Sequence, residues 1–201
     1  MLLAALCQNC KFKMTPPRNN GLQGHKGAKM NAAFLLLPFL LIRFLLLGLC
    51  NRQALASAAF FAPLAGAEKA AYWVYQLATL LLFVGPFFLT VQTGGGWFLP
   101  GLAVLGVGAA LCAAAVVDFA KPTENGFHQN GLYRFSRNPM YVGYFFYFLG
   151  CVLLTKSLIL LAALAAFQVA AHWIILSEER WCTEQFGQQY AAYKAKVRRY
   201  F

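Results

Sequence analysis

The 201 residues are 60% hydrophobic and only 11% charged, against about 45–50% apolar and about 25% charged in a soluble domain. That composition excludes an ordinary soluble fold, because the surplus apolar surface must face lipid, and the length suits a single helical bundle. The net charge is +11, from 17 Lys and Arg against 6 Asp and Glu. The basic residues flank the apolar runs, which points to a membrane surface and excludes nucleic acid as the partner.

In chain order, residues 1–30 are basic and rich in Gly, Asn and Pro, and read as a disordered tail. Met14 and Met30 are alternative starts, and either would make the stretch upstream of it non-native sequence. Cys7 and Cys10 form a lone CxxC without the second pair that a zinc site needs, so no metal and no disulfide framework is expected. Residues 32–50 make the first apolar span, interrupted by Arg43. The run ending at Cys50 also resembles a secretory or lipoprotein signal. Leu49 is not small and further spans follow, so a retained span is expected.

Residues 71–92 make the second span, with a kink at Gly85-Pro86. Residues 97–119 make the third, rich in small residues that let helices approach closely. Residues 140–155 and 157–177 make the fourth and fifth, separated by Lys156-Ser157, which predicts a tight hairpin. Only helices satisfy their backbone in lipid here. The expected fold is therefore an all-α, polytopic integral membrane bundle of about five spans, closed by a C-terminal cytoplasmic segment. It divides into the tail 1–30, N-terminal spans 31–117 and a C-terminal region 118–201.

Loop charge sets the expected orientation. The uncharged loop 93–96 should lie outside. The loop 120–139, with Lys121, Arg134 and Arg137, and the basic C-terminal tail should lie inside. Counting back through five spans puts the N-terminus outside, although residues 11–29 carry five basic residues. Either that tail is not native or the first run enters the membrane without crossing it.

Polar residues gather in two stretches, GLYRFSRNPMYVG from Gly131 and EERWCTEQFGQQYAAYKAKVRRYF from Glu178. In the first, Pro139 disfavours helix at Asn138 and suits a first helical turn. Arg137 and Asn138 then stand at a helix mouth, a natural place for an anion. Lipid-phosphate anchoring by Arg134 and Arg137 is the simpler use of the same residues. In the second, Glu178 and Glu179 end the fifth span, and His172 shares a helical face with Glu179. Two acids at the end of a helix call for a cation, from Arg137 or a ligand, or for a helix continuing toward Cys182. A surface pair with Arg180 would be worth little.

The order G-x-Y-R-x-S-R-N-P-x-Y-x-G, a hairpin, E-E, then F-G-x-x-Y-x-x-Y-x-x-x-V resembles the isoprenylcysteine carboxyl methyltransferase and phospholipid methyltransferase superfamily. The resemblance runs from about Asp118 to Tyr200. It implies a cytoplasmic pocket for S-adenosylmethionine closed by the C-terminal segment, and a lipid-side opening for a lipophilic acceptor, either an isoprenylcysteine-type carboxylate or a phospholipid-type amine. On that resemblance, Arg137, Glu178 and Tyr141 are the candidate catalytic residues. Tyr133, Asn138, Pro139, Tyr141, Gly143, Glu178, Glu179, Tyr190 and Tyr193 are the candidate cofactor residues, with no metal. Glu178 and Glu179 would take the ammonium or ribose hydroxyls, Arg137 a carboxylate, and Tyr141, Tyr190 and Tyr193 the adenine. Asn138 stands where many members have His, and the chain ends Tyr200-Phe201 where many have Trp then Pro.

Two other readings compete. One is a membrane reductase on a similar scaffold, although no Gly-rich phosphate loop follows a strand and Gly94-Gly95-Gly96 reads as a turn. The other is a non-enzymatic transporter or assembly protein, for which Arg43 and His172 are the ionisable groups near mid-span.

Overall fold

A computed structural model of the protein describes residues 30–51, 61–123 and 126–200. The expectations for residues 1–29, including Cys7 and Cys10, lie outside the described residues. The described chain is all helix and loop: α1 (Ala32–Cys50), α2 (Glu68–Phe88), α3 (Phe98–Ala120), α4 (Pro139–Thr155) and α5 (Leu158–Lys196). α1, α2, α3 and α5 are long and apolar enough to cross a membrane. α4, with 17 residues, sits at the lower limit of a span. The protein is thus an all-α polytopic membrane bundle, and its outward faces carry Phe34, Leu49, Trp73, Phe88 and Leu158, each at least 60% exposed.

Three boundaries differ from the sequence reading, one of them the end of α2, at Phe88 rather than at residue 92. α2 begins at Glu68, three residues earlier than expected, and the Glu68 carboxylate accepts a hydrogen bond from the Ala65 N–H at 2.8 Å in the turn that leads into it. A charged residue ends an apolar run without ending a helix. The expected kink is a change to tighter 3₁₀ winding over Gly85–Phe88, with Pro86 in its first turn. α5 does not stop near residue 177 but continues to Lys196. Its polar last third extends beyond the apolar part, and Gly187, at φ 53° and ψ −128°, redirects it. Between α4 and α5, Lys156 adopts a left-handed turn and Ser157 caps α5, its hydroxyl accepting from the Leu160 N–H. This is the expected hairpin.

The helices alternate between two ends of the bundle. At one end, Ala32 N–H donates to Leu89 C=O, Val91 N–H to Met30 C=O and Gln92 N–H to Leu154 C=O, all at 2.8–2.9 Å. At the other, Asn51 donates to the Ala120 carbonyl, and Arg180 forks onto Glu68. α1 therefore traverses the full bundle, about 28 Å for its 19 residues at 1.5 Å per residue. The alternative of a first run that turns back is not what forms. Loops 93–96 and 120–139 fall at opposite ends, as their charges require.

α3 and α4 make the closest packing. A Cβ on Gly150 would stand 2.5 Å from Leu105, one on Gly143 2.8 Å from the Cys112 sulfur, and one on Gly108 would overlap the Tyr147 backbone. With no hydrophobic drive between helices in lipid, such small-residue contacts supply the packing. Tyr147 is fully buried beside Phe39 and Phe148 and donates its hydroxyl to the Leu35 carbonyl, tying α1 to α4. Gly108→Ala is predicted to cost about 1–3 kcal/mol by overpacking and to lower the midpoint of thermal unfolding in detergent. Gly106→Ala, whose Cβ meets nothing within 4 Å, should leave that midpoint unchanged.

Candidate active site

The site is built where the loop before α4 meets the end of α5. Asp118 shapes the loop: its carboxylate accepts from the Leu132 N–H at 2.8 Å and pairs with Lys121 at 2.6 Å. Gly131 has φ +60°, and any side chain there would run into that carboxylate. A short 3₁₀ turn, Gly131–Arg134, follows and buries Tyr133. Pro139 then starts α4 as its first residue, and Asn138 before it is non-helical, at φ −132° and ψ 54°.

The C-terminal tail returns onto this loop. Arg137 N–H donates to the Arg198 carbonyl at 2.9 Å. The Ser136 hydroxyl and the Asn138 amide both donate to the Arg199 carbonyl. Beneath them Tyr193 donates its hydroxyl to the Tyr133 carbonyl at 2.7 Å. The face shared by His172 and Glu179 meets adjacent tail residues: the His172 ring nitrogen lies 2.9 Å from the Tyr200 hydroxyl, and Glu179 receives Arg199.

Glu179, 3% exposed, is the hub. Arg199 donates two hydrogen bonds to it at 2.9 Å. Arg137 lies 3.3 Å away and Lys194 3.6 Å. Burial raises its carboxyl pKa, but Arg199, Arg137 and Lys194 together hold it below the usual carboxylate range. Glu178, the first residue past the apolar stretch of α5, has no such cations. Burial, and then the charge of Glu179, push its carboxyl up to about 7. Neighbouring acids are thus driven in opposite directions by what each one faces.

Arg137 is the informative member. Its guanidinium is 8% exposed, and only Nη2 reaches Glu179. Nε and Nη1 are buried without a hydrogen-bond partner. Two unmatched donors on a buried cation cost free energy unless an acceptor arrives.

The structure brings Arg137 and Glu179 together and holds Arg137 and Asn138 under the tail, with Tyr133 tied in through Tyr193; the Glu178 charge is felt instead at Tyr75 and Tyr141, and Tyr141 is half-buried. Tyr141 interacts with the Tyr75 hydroxyl and packs 6.0 Å from the Tyr144 ring. Other expected residues serve packing. Gly143 faces Cys112 of α3 and lets the helices touch, so its place is a helix contact rather than a ligand surface. Tyr190 and Tyr193 are buried with Phe127 and Phe186. They hold the tail down instead of offering an open face to a ring. Glu179 already serves three cations, which leaves Glu178 as the acid with capacity for a ligand. Arg180 pairs with Glu68 of α2, not with its neighbours.

Residues outside the sequence reading of the site are Arg199, Lys194 and Tyr200. A buried carboxylate beside a basic tail was the only signal for the pairing of Arg199 with Glu179. Among the described residues no group of His, Cys, Asp and Glu is arranged to hold a metal ion. Glu179→Gln leaves Arg137 and Arg199 without their counter-charge. It should cost about 3–5 kcal/mol and expose the segment beyond Gly187 to limited proteolysis that the wild type resists.

Residues 105–189 match the family model described as phospholipid methyltransferase. No curated protein and no solved structure matches the chain. The matched stretch runs from within α3 to just past Gly187 and holds the loop, all of α4, Arg137, Glu178 and Glu179. It favours methyl transfer over the reductase and transporter readings. The match over residues 105–189 is to the phospholipid methyltransferase family, within the superfamily it shares with isoprenylcysteine carboxyl methyltransferases, and it supports reading this helical bundle as a membrane methyltransferase in general.

Proposed function

We propose that the Arg137–Glu178 site binds S-adenosylmethionine and aligns it with a lipophilic acceptor arriving from the bilayer. The observation that carries this reading is the pair of unmatched Arg137 donors, Nε and Nη1; Glu178, next in sequence to the Glu179 that Arg137 pairs with, is a carboxylate with no ion pair among the described residues. Together they suit a ligand with a carboxylate and an ammonium on one carbon, as in the methionine part of the cofactor. Arg137 would take the carboxylate through charge-assisted hydrogen bonds. Glu178 would take the ammonium. Tyr141 lies close enough to both helices to pack against the remaining aromatic part.

The cofactor supplies a methyl group already activated on a sulfonium. The chain therefore needs no nucleophile of its own; its task is alignment and exclusion of water. The tail hydrogen bonds to Ser136, Arg137 and Asn138 cover the site from the aqueous side. The first turn of α4, from Pro139, forms its floor toward lipid. We assign this end to the cytoplasm because Lys121, Arg134, Arg180, Lys194, Lys196, Arg198 and Arg199 gather here. At the opposite end, Lys156 is the basic residue among the described residues.

Isothermal titration of the detergent-purified protein should show cofactor binding in the wild type. Arg137→Lys keeps a charge for Glu179 but loses the planar fork. It should weaken binding by about tenfold or more, from the roughly 1.5–3 kcal/mol of charged hydrogen bonds. Absence of binding by the wild type, or an unchanged affinity in Arg137→Lys, would contradict the assignment.

The pH dependence has a definite sign. Glu178 must ionise to hold a cation, and its carboxyl sits at about 7. Affinity should therefore rise by about tenfold between pH 6 and pH 8 by proton linkage. Glu178→Gln should bind more weakly and show no such rise.

A further inference from the structure

We infer that Gln168 and His172, at the lipid-facing edge of α5, form a subsite for the hydroxyl of a neutral long-chain alcohol, with Tyr200 fixing the histidine ring. This subsite is separate from Arg137 and Glu178, and it does not rest on the proposed cofactor.

α5 runs from Leu158 to Leu176 through apolar residues, interrupted at Gln168 and His172. Polar groups inside a span are costly and mark function. The two are four residues apart, so they lie one above the other on one helical face. The face that packs inward carries Leu164, Phe167, Ala171 and Ile174, all buried. Ala165, Val169 and Trp173 are exposed on the opposite side. Gln168 and His172, both half-buried, stand at the border between these faces. An amphiphile approaching from the bilayer meets this border.

The border offers one acceptor and one donor. Gln168 Oε1 is buried and has no hydrogen-bond partner among the described residues. A buried acceptor in that state costs free energy until a donor arrives. His172 Nδ1 lies 2.9 Å from the Tyr200 hydroxyl. We assign the ring proton to Nε2, so that the Tyr200 hydroxyl donates to Nδ1 and Nε2 donates outward.

Side chains one turn apart have Cβ atoms roughly 5–6 Å from each other, a spacing that a single oxygen bridges. A hydroxyl suits both groups: it gives its proton to Gln168 Oε1 and accepts from His172 Nε2 through a lone pair. A carboxylate or phosphate has no proton to give and would set its charge against the Oε1 lone pairs. An ammonium cannot accept from Nε2 and would bring a full charge into the span. The neutral pair therefore selects an uncharged alcohol. Tyr200 follows Arg199, which holds Glu179, so a ligand oxygen on Nε2 also favours the ring tautomer that fastens the tail.

The test uses the full chain in detergent with labelled oleyl alcohol and its methyl ether, the isosteric probe without a donor. The wild type should bind the alcohol about tenfold tighter than the ether, the effect of one to two neutral hydrogen bonds. Unlabelled oleate should displace the alcohol about tenfold less well than unlabelled oleyl alcohol does. Gln168→Leu should remove the preference for alcohol over ether. Its midpoint of thermal unfolding should equal or exceed that of the wild type, since an apolar residue of similar size replaces an unmatched acceptor; loss of a structural hydrogen bond would lower it. Tyr200→Phe releases the histidine ring and should keep only part of the preference. Equal binding of alcohol and ether, oleate as effective as the alcohol in displacement, a preference that survives Gln168→Leu, a lowered midpoint in Gln168→Leu, or a full preference in Tyr200→Phe would overturn the inference. None of these readouts uses the methyl donor, so a wild type that binds the alcohol but no cofactor would sink the methyltransferase reading and leave the subsite standing.

Discussion

The site end of this bundle is organised by one buried charge. Glu179 draws in Arg137 from the loop before α4, Lys194 from beyond the Gly187 kink and Arg199 from the tail. A carboxylate removed from water is tolerable only with its counter-charges in place. Each of those counter-charges comes from a segment that would otherwise be free to hang in solution. Satisfying Glu179 therefore folds the tail over the loop and fixes Arg137 with two donors to spare.

The rest of the fold makes that knot possible. Gly108, Gly143 and Gly150 let α3 and α4 touch backbone to side chain, which sets where Pro139 starts and hence where Arg137 stands. The Glu68–Arg180 pair joins the start of α2 to α5 just past the twin acids. Tyr147 ties α1 to α4 through the Leu35 carbonyl. α1 and α2, outside the family match, are thereby packed against the matched region.

The sequence made the bundle legible because apolar runs and their charged borders obey the bilayer. It also marked Arg137, Asn138, Pro139 and the twin acids, since a helix mouth and a helix end leave chemical signatures within a few residues. What it concealed depends on distance along the chain. Glu68 and Arg180 are 112 residues apart, and Arg199 and Glu179 are joined only after Gly187 turns the helix back. Charge ends the apolar runs at Glu68 and after residue 177, but the backbone stays helical through it, and after residue 177 it takes the course that a helix continuing toward Cys182 required. Gly143, Tyr190 and Tyr193 belong to the motif, and their contacts are with Cys112, Phe127, one another and, through the Tyr193 hydroxyl, the Tyr133 carbonyl. A motif records which residues are needed but not whether they touch a ligand or hold the residues that do.

The central claim is that this end of the bundle positions a methyl donor against a lipid. The most direct measurement is incubation of the protein in lipid vesicles with methyl-labelled S-adenosylmethionine, followed by extraction of the lipid phase. The account predicts label in the lipid phase with wild-type protein and its loss with Arg137→Ala. Lipid-phase label at the same rate with Arg137→Ala, or none with the wild type across lipid acids and aminophospholipids alike, would contradict it.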